Sequence, residues 1–179
     1  LQNGNKERII QSGNLIASIK ENKNIVDRFE DCKKILKTRC THHDTKISNV
    51  LFDEQDKGIC VIDLDTVMPG YFISDVGDMM RTYLCPVSEE EKDLSKIVVR
   101  KAFYDAIVDG YLAEMGEELG QTEKKYFHFA GEFMIYMQAI RFLTDHLNDD
   151  VYYGANYDGH NFVRAANQLE LLRQYQQLK

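Results

Sequence analysis

Tryptophan is absent from these 179 residues, and proline occurs only twice. No apolar run approaches the roughly 20 residues that cross a bilayer as a helix, and no signal-peptide pattern opens the chain. A membrane partner is therefore not expected. Positive charge is in deficit: 22 Lys and Arg stand against 29 Asp and Glu, a net charge of −7. Nucleic-acid backbones demand a clustered positive surface, so nucleic acid is excluded as the main partner. The four cysteines, Cys32, Cys40, Cys60 and Cys85, form no C-x-x-C pair. Neither a disulfide framework nor a zinc site follows, and buried free thiols of a cytoplasmic protein are the expectation. The glycines are scattered, with no G-x-G-x-x-G among them. What remains is globular: 44% hydrophobic against 28% charged, enough for a single domain over residues 1–179 with a real core.

Helical periodicity dominates. Ile25, Phe29, Cys32 and Leu36 form one apolar stripe, preceded by a less regular helix through Ile9, Leu15 and Ile19, interrupted at Gly13. Neither proline nor glycine occurs between Ile16 and Ile47, so helix is free to run up to that point. Beyond Pro69-Gly70, Ser74-Asp75 suits the cap of a short helix, VGDMMRTYL. Ser88 with three glutamates behind it suits the start of a second, which runs on through Leu119. A third is expected over 122–147 and a last one over 160–178.

Between 41 and 70 the period changes. NVLFD and GICVIDLD read as two short buried strands, with EQDKG as their turn. The expectation is a β-hairpin, 49–52 against 59–64, embedded in a mainly α domain.

The same stretch is dense in oxygen and nitrogen groups. Asp44 offers a general base, Lys46 a point charge for a phosphate, and Asn49 an amide oxygen. Asp63 ends the second strand and Asp65 follows it. Hard oxygen ligands delivered from the ends of a hairpin suit Mg²⁺, which takes one or two carboxylates plus substrate phosphates and water. A base, a cation and a metal site together are what phosphoryl transfer requires.

His42-x-Asp44-x-Lys46-x-x-Asn49 resembles the catalytic loop of eukaryotic-like kinases, and Ile62-Asp63 their metal-binding aspartate. Leu64-Asp65 stands where a protein kinase has Phe-Gly. That departure points to the aminoglycoside phosphotransferase and choline kinase superfamily, with H-x-D-x-x-x-x-N followed by I-D-x-[DE]. Asp75 falls where that superfamily braces the catalytic loop. HHDTKISNVLFD, VIDLDTVMPG, SDVGDMMR and RFLTDHLNDDVYY are similar to the N-acetylhexosamine 1-kinases within it.

The resemblance implies the C-terminal lobe of a protein-kinase-like α+β fold, using ATP and Mg²⁺ on a small sugar. Asp44 would take the proton of the anomeric hydroxyl. Asn49 and Asp63 would hold the metal and nucleotide, with Asp65 assisting the metal or serving as a cap. Lys46 would touch the sugar or the transferring phosphate, and Arg141 and Tyr152 the sugar. Arg141 continues the apolar stripe of the third helix, where a charge needs a ligand or a partner such as Asp145. His42 would order the loop.

The Gly-rich loop and strand lysine of a kinase's smaller lobe have no counterpart here. The chain is therefore expected to work with its own N-terminal lobe and to be inactive as a fragment. The same chemistry on an aminoglycoside, choline or homoserine is the nearest alternative, since HLNDDVYY offers both acidic and aromatic groups for a cation. A non-catalytic kinase-like binding module is a further one, against which the intact Asp44, Asn49 and Asp63 speak.

Overall fold

Apolar stripes repeating every three to four residues become helices along most of the chain, and a computed structural model describes residues 4–178. Three short helices come first: α1 (Lys6–Gln11), α2 (Gly13–Glu21) and α3 (Asn24–Cys32). The Asn5 side chain caps α1 by accepting from the amides of Glu7 and Arg8. Helix does not continue to the motif, because tertiary anchors beyond Cys32 outweigh local propensity. Leu36 turns into the core, and Arg39 reaches Glu123 at 2.9 Å and the Glu118 carbonyl at 2.7 Å.

Two antiparallel ladders follow, one nested inside the other. The outer joins β1 (Arg39–Thr41) to β4 (Met68–Gly70), with Thr41 opposite Met68. The inner joins β2 (Val50–Phe52) to β3 (Gly58–Val61), with Val50 opposite Val61 and an irregularity between Leu51 and Phe52. The expected hairpin exists but is shorter at both outer ends. Asn49 sits in a 3-10 turn (Ile47–Asn49), and the chain leaves the ladder after Val61 into another (Leu64–Thr66). Its strands are not buried. Phe52, Ile59 and Val61 keep 45%, 61% and 51% of their surface. The thiols follow suit: only Cys32 is buried, Cys85 is partly so, and Cys40 and Cys60 are exposed.

The core lies among α4 (Phe72–Tyr83), α7 (Phe127–Leu147) and α8 (His160–Tyr175). Phe72, Val76 and Met80 of α4, Phe129, Phe133 and Tyr136 of α7, and Leu171, Leu172 and Tyr175 of α8 join in one buried cluster. Gly77 lets α4 approach α7, since a Cβ there would collide with the Ala130 carbonyl. Gly131 makes room for the Tyr175 ring in the same way. A second cluster of Phe142, Leu143, Leu147 and Ala165 packs against α1 and α2 through Ile9, Leu15 and Ile16.

Helix α4 starts before Ser74-Asp75, with Tyr71 at its cap position. The helix expected from Ser88 begins only at α5 (Lys101–Met115). Residues 88–100 are irregular apart from a 3-10 turn, Leu94–Lys96. Glu89 serves distant partners, binding Arg81 and Arg164. Arg100 spends its guanidinium on the carbonyls of Tyr83, Leu84 and Cys85 at the end of α4, groups a helix terminus leaves unsatisfied. The expected third helix is split at Lys125-Tyr126 into α6 (Gln121–Lys124) and α7. The buried Glu123 carboxylate accepts from the Gly120 amide and Arg39 there. This is a mainly helical kinase-like C-terminal lobe carrying two small antiparallel ladders. Among the described residues no helix is long and apolar enough to cross a membrane.

Candidate active site

The loop between β1 and β2 is built around a carboxylate on α4. Asp75 accepts from the backbone amides of His42 at 3.0 Å and His43 at 2.8 Å, one on each oxygen. Both amides face it because His43 takes a left-handed conformation, φ 68°, a strained choice that the surroundings must over-determine. They do so through its ring. The Thr41 hydroxyl donates to the Met68 carbonyl at 3.1 Å, so it accepts from His43 Nε2 at 2.7 Å. His43 Nδ1 is then the acceptor for the Ser74 hydroxyl, also at 2.7 Å. The ring lies over Gly70, where any Cβ would strike it. His42 is fixed by the same logic: Nε2 donates to the Ile62 carbonyl at 3.0 Å, leaving Nδ1 to face the Asp44 amide at 3.3 Å.

Asp44, Lys46 and Asn49 converge, as their spacing suggests. Lys46 Nζ donates to Asp44 Oδ2 at 2.7 Å. The Asn49 amide nitrogen donates to the same oxygen and to the Asp44 carbonyl, each at 2.9 Å. Asp44 Oδ1 and Asn49 Oδ1 make no hydrogen bond among the described residues, so a carboxylate oxygen and an amide oxygen are left for ligands. Burial alone would push the Asp44 carboxyl upward, toward its protonated form. The hydrogen bonds from Lys46 and Asn49, and the charges of Lys46 and Arg81, more than reverse this and hold its carboxyl below the usual carboxylate range. Lys46 is shifted up, chiefly by its bond to Asp44 and with a contribution from the charge of Asp63. It is an ammonium at neutral pH.

Asp63 follows β3 with a left-handed backbone, φ 61°. The Ile62 amide donates to the Asn49 carbonyl at 2.9 Å, so Asn49 and Asp63 stand on neighbouring strand ends. Asp65 lies in the adjoining 3-10 turn, and both acids are exposed. No cluster of three or more His, Cys, Asp and Glu with metal-holding geometry occurs among the described residues. The donor set fits Mg²⁺, which uses one or two carboxylates and otherwise phosphate and water oxygens, and fits a zinc cage poorly.

Arg141 and Tyr152 come together elsewhere. Both are exposed, and the guanidinium lies 5.9 Å from the Tyr152 ring and 5.4 Å from that of Tyr153. The stripe reading of Arg141 is thus corrected: it faces outward, beside aromatic rings that suit a cation. Its expected partner Asp145 is engaged otherwise, accepting from the amides of Tyr152 and Tyr153 and from Asn161. No direct hydrogen bond or ion pair joins Arg141 or Tyr152 to the loop among the described residues.

A chain of largely half-buried charges runs between the two places, and spacing gave no sign of it. Asp78 pairs with Arg81 at 2.9 Å; Arg81 reaches Glu89 at 2.7 Å; Glu89 also accepts from Arg164. Arg164 stacks on Phe142 at 3.7 Å and lies 5.3 Å from the Tyr153 ring. Burial shifts the Asp78 carboxyl upward, opposed by Arg81. The Tyr83 phenol is pushed up to about 12 by burial and the charge of Asp78, so it stays a donor to the Thr45 carbonyl.

Residues 11–120 match the model of the phosphotransferase enzyme family. That span contains the whole loop, both ladders and Asp75. The chain belongs to this family, and its fold is that of a kinase-like C-terminal lobe.

Proposed function

We propose that the protein transfers the γ-phosphoryl group of ATP to the anomeric hydroxyl of an N-acetylhexosamine. The observation that carries this reading is Asp44, with one carboxylate oxygen tied to Lys46 and Asn49 and the other left open, in a chain of the phosphotransferase family. The open Oδ1 would orient the acceptor hydroxyl and take its proton as the new P–O bond forms and the bond to the β-phosphate oxygen breaks. A depressed pKa suits this order, because a loose transition state needs positioning more than strong base. Lys46 would swing its ammonium from Asp44 toward the transferring phosphoryl group.

Asn49 Oδ1 and the Asp63 carboxylate are the oxygens that would hold Mg²⁺, with Asp65 beside them; the ion would neutralise charge on the phosphate oxygens. Arg141 and Tyr152 would contact the sugar, Tyr152 by its face and Arg141 by its N–H groups. The remaining nucleotide contacts, a Gly-rich loop and a strand lysine, would come from a smaller N-terminal lobe. The exposed apolar residues of β2 and β3 offer that lobe a surface. The sugar assignment rests on likeness of the motif blocks, and a cytoplasmic setting accords with it.

The test is a panel of acceptors incubated with the full-length polypeptide, ATP and Mg²⁺, with ADP release as the readout. N-acetylglucosamine and N-acetylgalactosamine should be turned over. Turnover confined to choline, homoserine or an aminoglycoside would replace the sugar with a different small alcohol.

A further inference from the structure

Helix α7 ends against the grain of its local chemistry. Asn148 closes it, and Asp149 and Asp150 follow, both with left-handed backbones at φ 60°. Glycine or asparagine is the ordinary choice for such a position, and two in succession are strained unless the surroundings fix them. Aspartate is also the unfavourable charge there, because the C-terminal end of a helix is itself partly negative. The compensation comes from α1, 138 positions back in the chain. Arg8 Nη1 donates to the His146 carbonyl at 2.7 Å and to Asp150 Oδ2 at 2.6 Å. Its Nε lies 3.8 Å from Asp149, and its Nη2 3.3 Å from Asp158. The Asn5 amide donates to the Leu147 carbonyl at 2.8 Å, and the Asn5 side chain to Asp149 at 2.9 Å. Arg8 thus supplies both things the end of α7 lacks, a donor for a free carbonyl and a cation. The side chains of Arg8 and Asp150 are 19% and 7% exposed, so breaking the pair would strand a charge away from water.

The same turn leads to the aromatic pair. Asp150 Oδ1 accepts from Asn161 Nδ2 at 2.9 Å, and that nitrogen lies 3.1 Å from Asp145 Oδ2. Asp145, buried in α7, accepts from the amides of Tyr152 and Tyr153 at 2.7 and 2.9 Å. Arg8, Asp150, Asn161 and Asp145 therefore form one run of polar contacts that ends on the backbone of Tyr152. The Tyr152 ring is 75% exposed, so its place is set by that backbone more than by packing.

We infer that Arg8 is a positioning residue of the acceptor site: from α1 it fixes the two left-handed aspartates, and through them the place of Tyr152 beside Arg141. The inference rests on the reading of Tyr152 and Arg141 as acceptor contacts. It adds a residue that makes no hydrogen bond or ion pair to the Asp44 loop among the described residues. Removing the guanidinium frees the turn after α7 and lets Tyr152 leave Arg141. The acceptor must then select a less populated, aligned state, which weakens its apparent affinity by the fraction populated. Asp44 is held separately, by Lys46 and Asn49, so the bound complex reacts at its usual rate.

The experiment is steady-state kinetics of the full-length polypeptide with ATP, Mg²⁺ and an acceptor from the panel above that the unaltered protein turns over. Arg8→Ala should raise the acceptor KM about tenfold, as an aligned state reduced to about a tenth would require. It should leave kcat and the KM for ATP within about twofold. Arg8→Lys keeps the cation but not the fork, and should fall between. A role in stability alone would act otherwise: a smaller folded fraction lowers the apparent kcat and leaves the acceptor KM unmoved. That result overturns the inference, and so does a KM rise shared equally by ATP. Should Arg8→Ala fail to fold, Arg8→Lys and Asp150→Asn decide the matter. Asparagine suits the left-handed backbone but removes the charge that Arg8 meets, so the acceptor KM should rise about threefold; an unmoved KM in both variants overturns the inference. An active protein whose acceptor KM ignores Arg8 leaves the proposed activity standing. An unaltered protein that phosphorylates no acceptor overturns that activity, and this inference with it.

Discussion

At the residue scale the site turns on how one carboxylate is held. Lys46 and Asn49 stabilise the charged form of Asp44 against burial, so its pKa lies below the ordinary value. The sign follows. A depressed folded-state pKa stabilises the fold at neutral pH, and that contribution is lost as pH falls through the depressed value. Lys46→Met removes the first of the opposing hydrogen bonds and should move the Asp44 titration upward. Carboxyl ¹³C shifts followed against pH would read this directly; an unmoved midpoint would mean that Lys46 does not set it. Asp75 is the second prediction. Asp75→Ala deletes the acceptor of two loop amides and should cost roughly 2–3 kcal/mol, with faster hydrogen exchange at His42 and His43. Asp44, Lys46, Asn49 and Asp75 were legible in the sequence because the first three are neighbours and the fourth sits in a recognisable block. Glu89 and Arg164 were not: 75 positions separate them, and a run of glutamates reads locally as a helix start.

At the element scale the helices were found by periodicity and misplaced at their ends. Each error has a partner outside the element. The stretch from Ser88 lost its helix to Arg81, Arg164 and the end of α4, and α3 stops where Leu36 and Arg39 turn toward other anchors. Periodicity does not register such contacts. The β1–β4 ladder escaped notice for a different reason: three-residue strands, one containing Pro69, carry almost no alternation to detect. The α4–α7 contact yields a third prediction. Gly77→Ala places a methyl against the Ala130 carbonyl and should destabilise the protein by about 1–3 kcal/mol, seen as a lower urea midpoint with an unchanged slope. A neutral result would show that the two helices can separate without loss.

At the scale of the whole molecule, the hairpin that carries Asn49 and Asp63 projects its apolar residues outward, while the core lies behind it in α4, α7 and α8. The loop that carries Asp44 is braced from that core side, by Asp75 and Ser74 of α4, and is open on the hairpin side. That polarity is what an active site shared with a second lobe would have. It places the claim about Asp44 at the centre, because the rest of the arrangement serves to hold one oxygen of that carboxylate free. The most direct test is the rate and position of phosphorylation by the full-length polypeptide and its Asp44→Asn variant, followed by ³¹P NMR with ATP, Mg²⁺ and N-acetylglucosamine. The expected result is a sugar 1-phosphate from the unaltered protein and a rate lowered by about 10³-fold or more in the variant. A variant that keeps a near-normal rate, or phosphate delivered to a hydroxyl other than the anomeric one, would contradict the account.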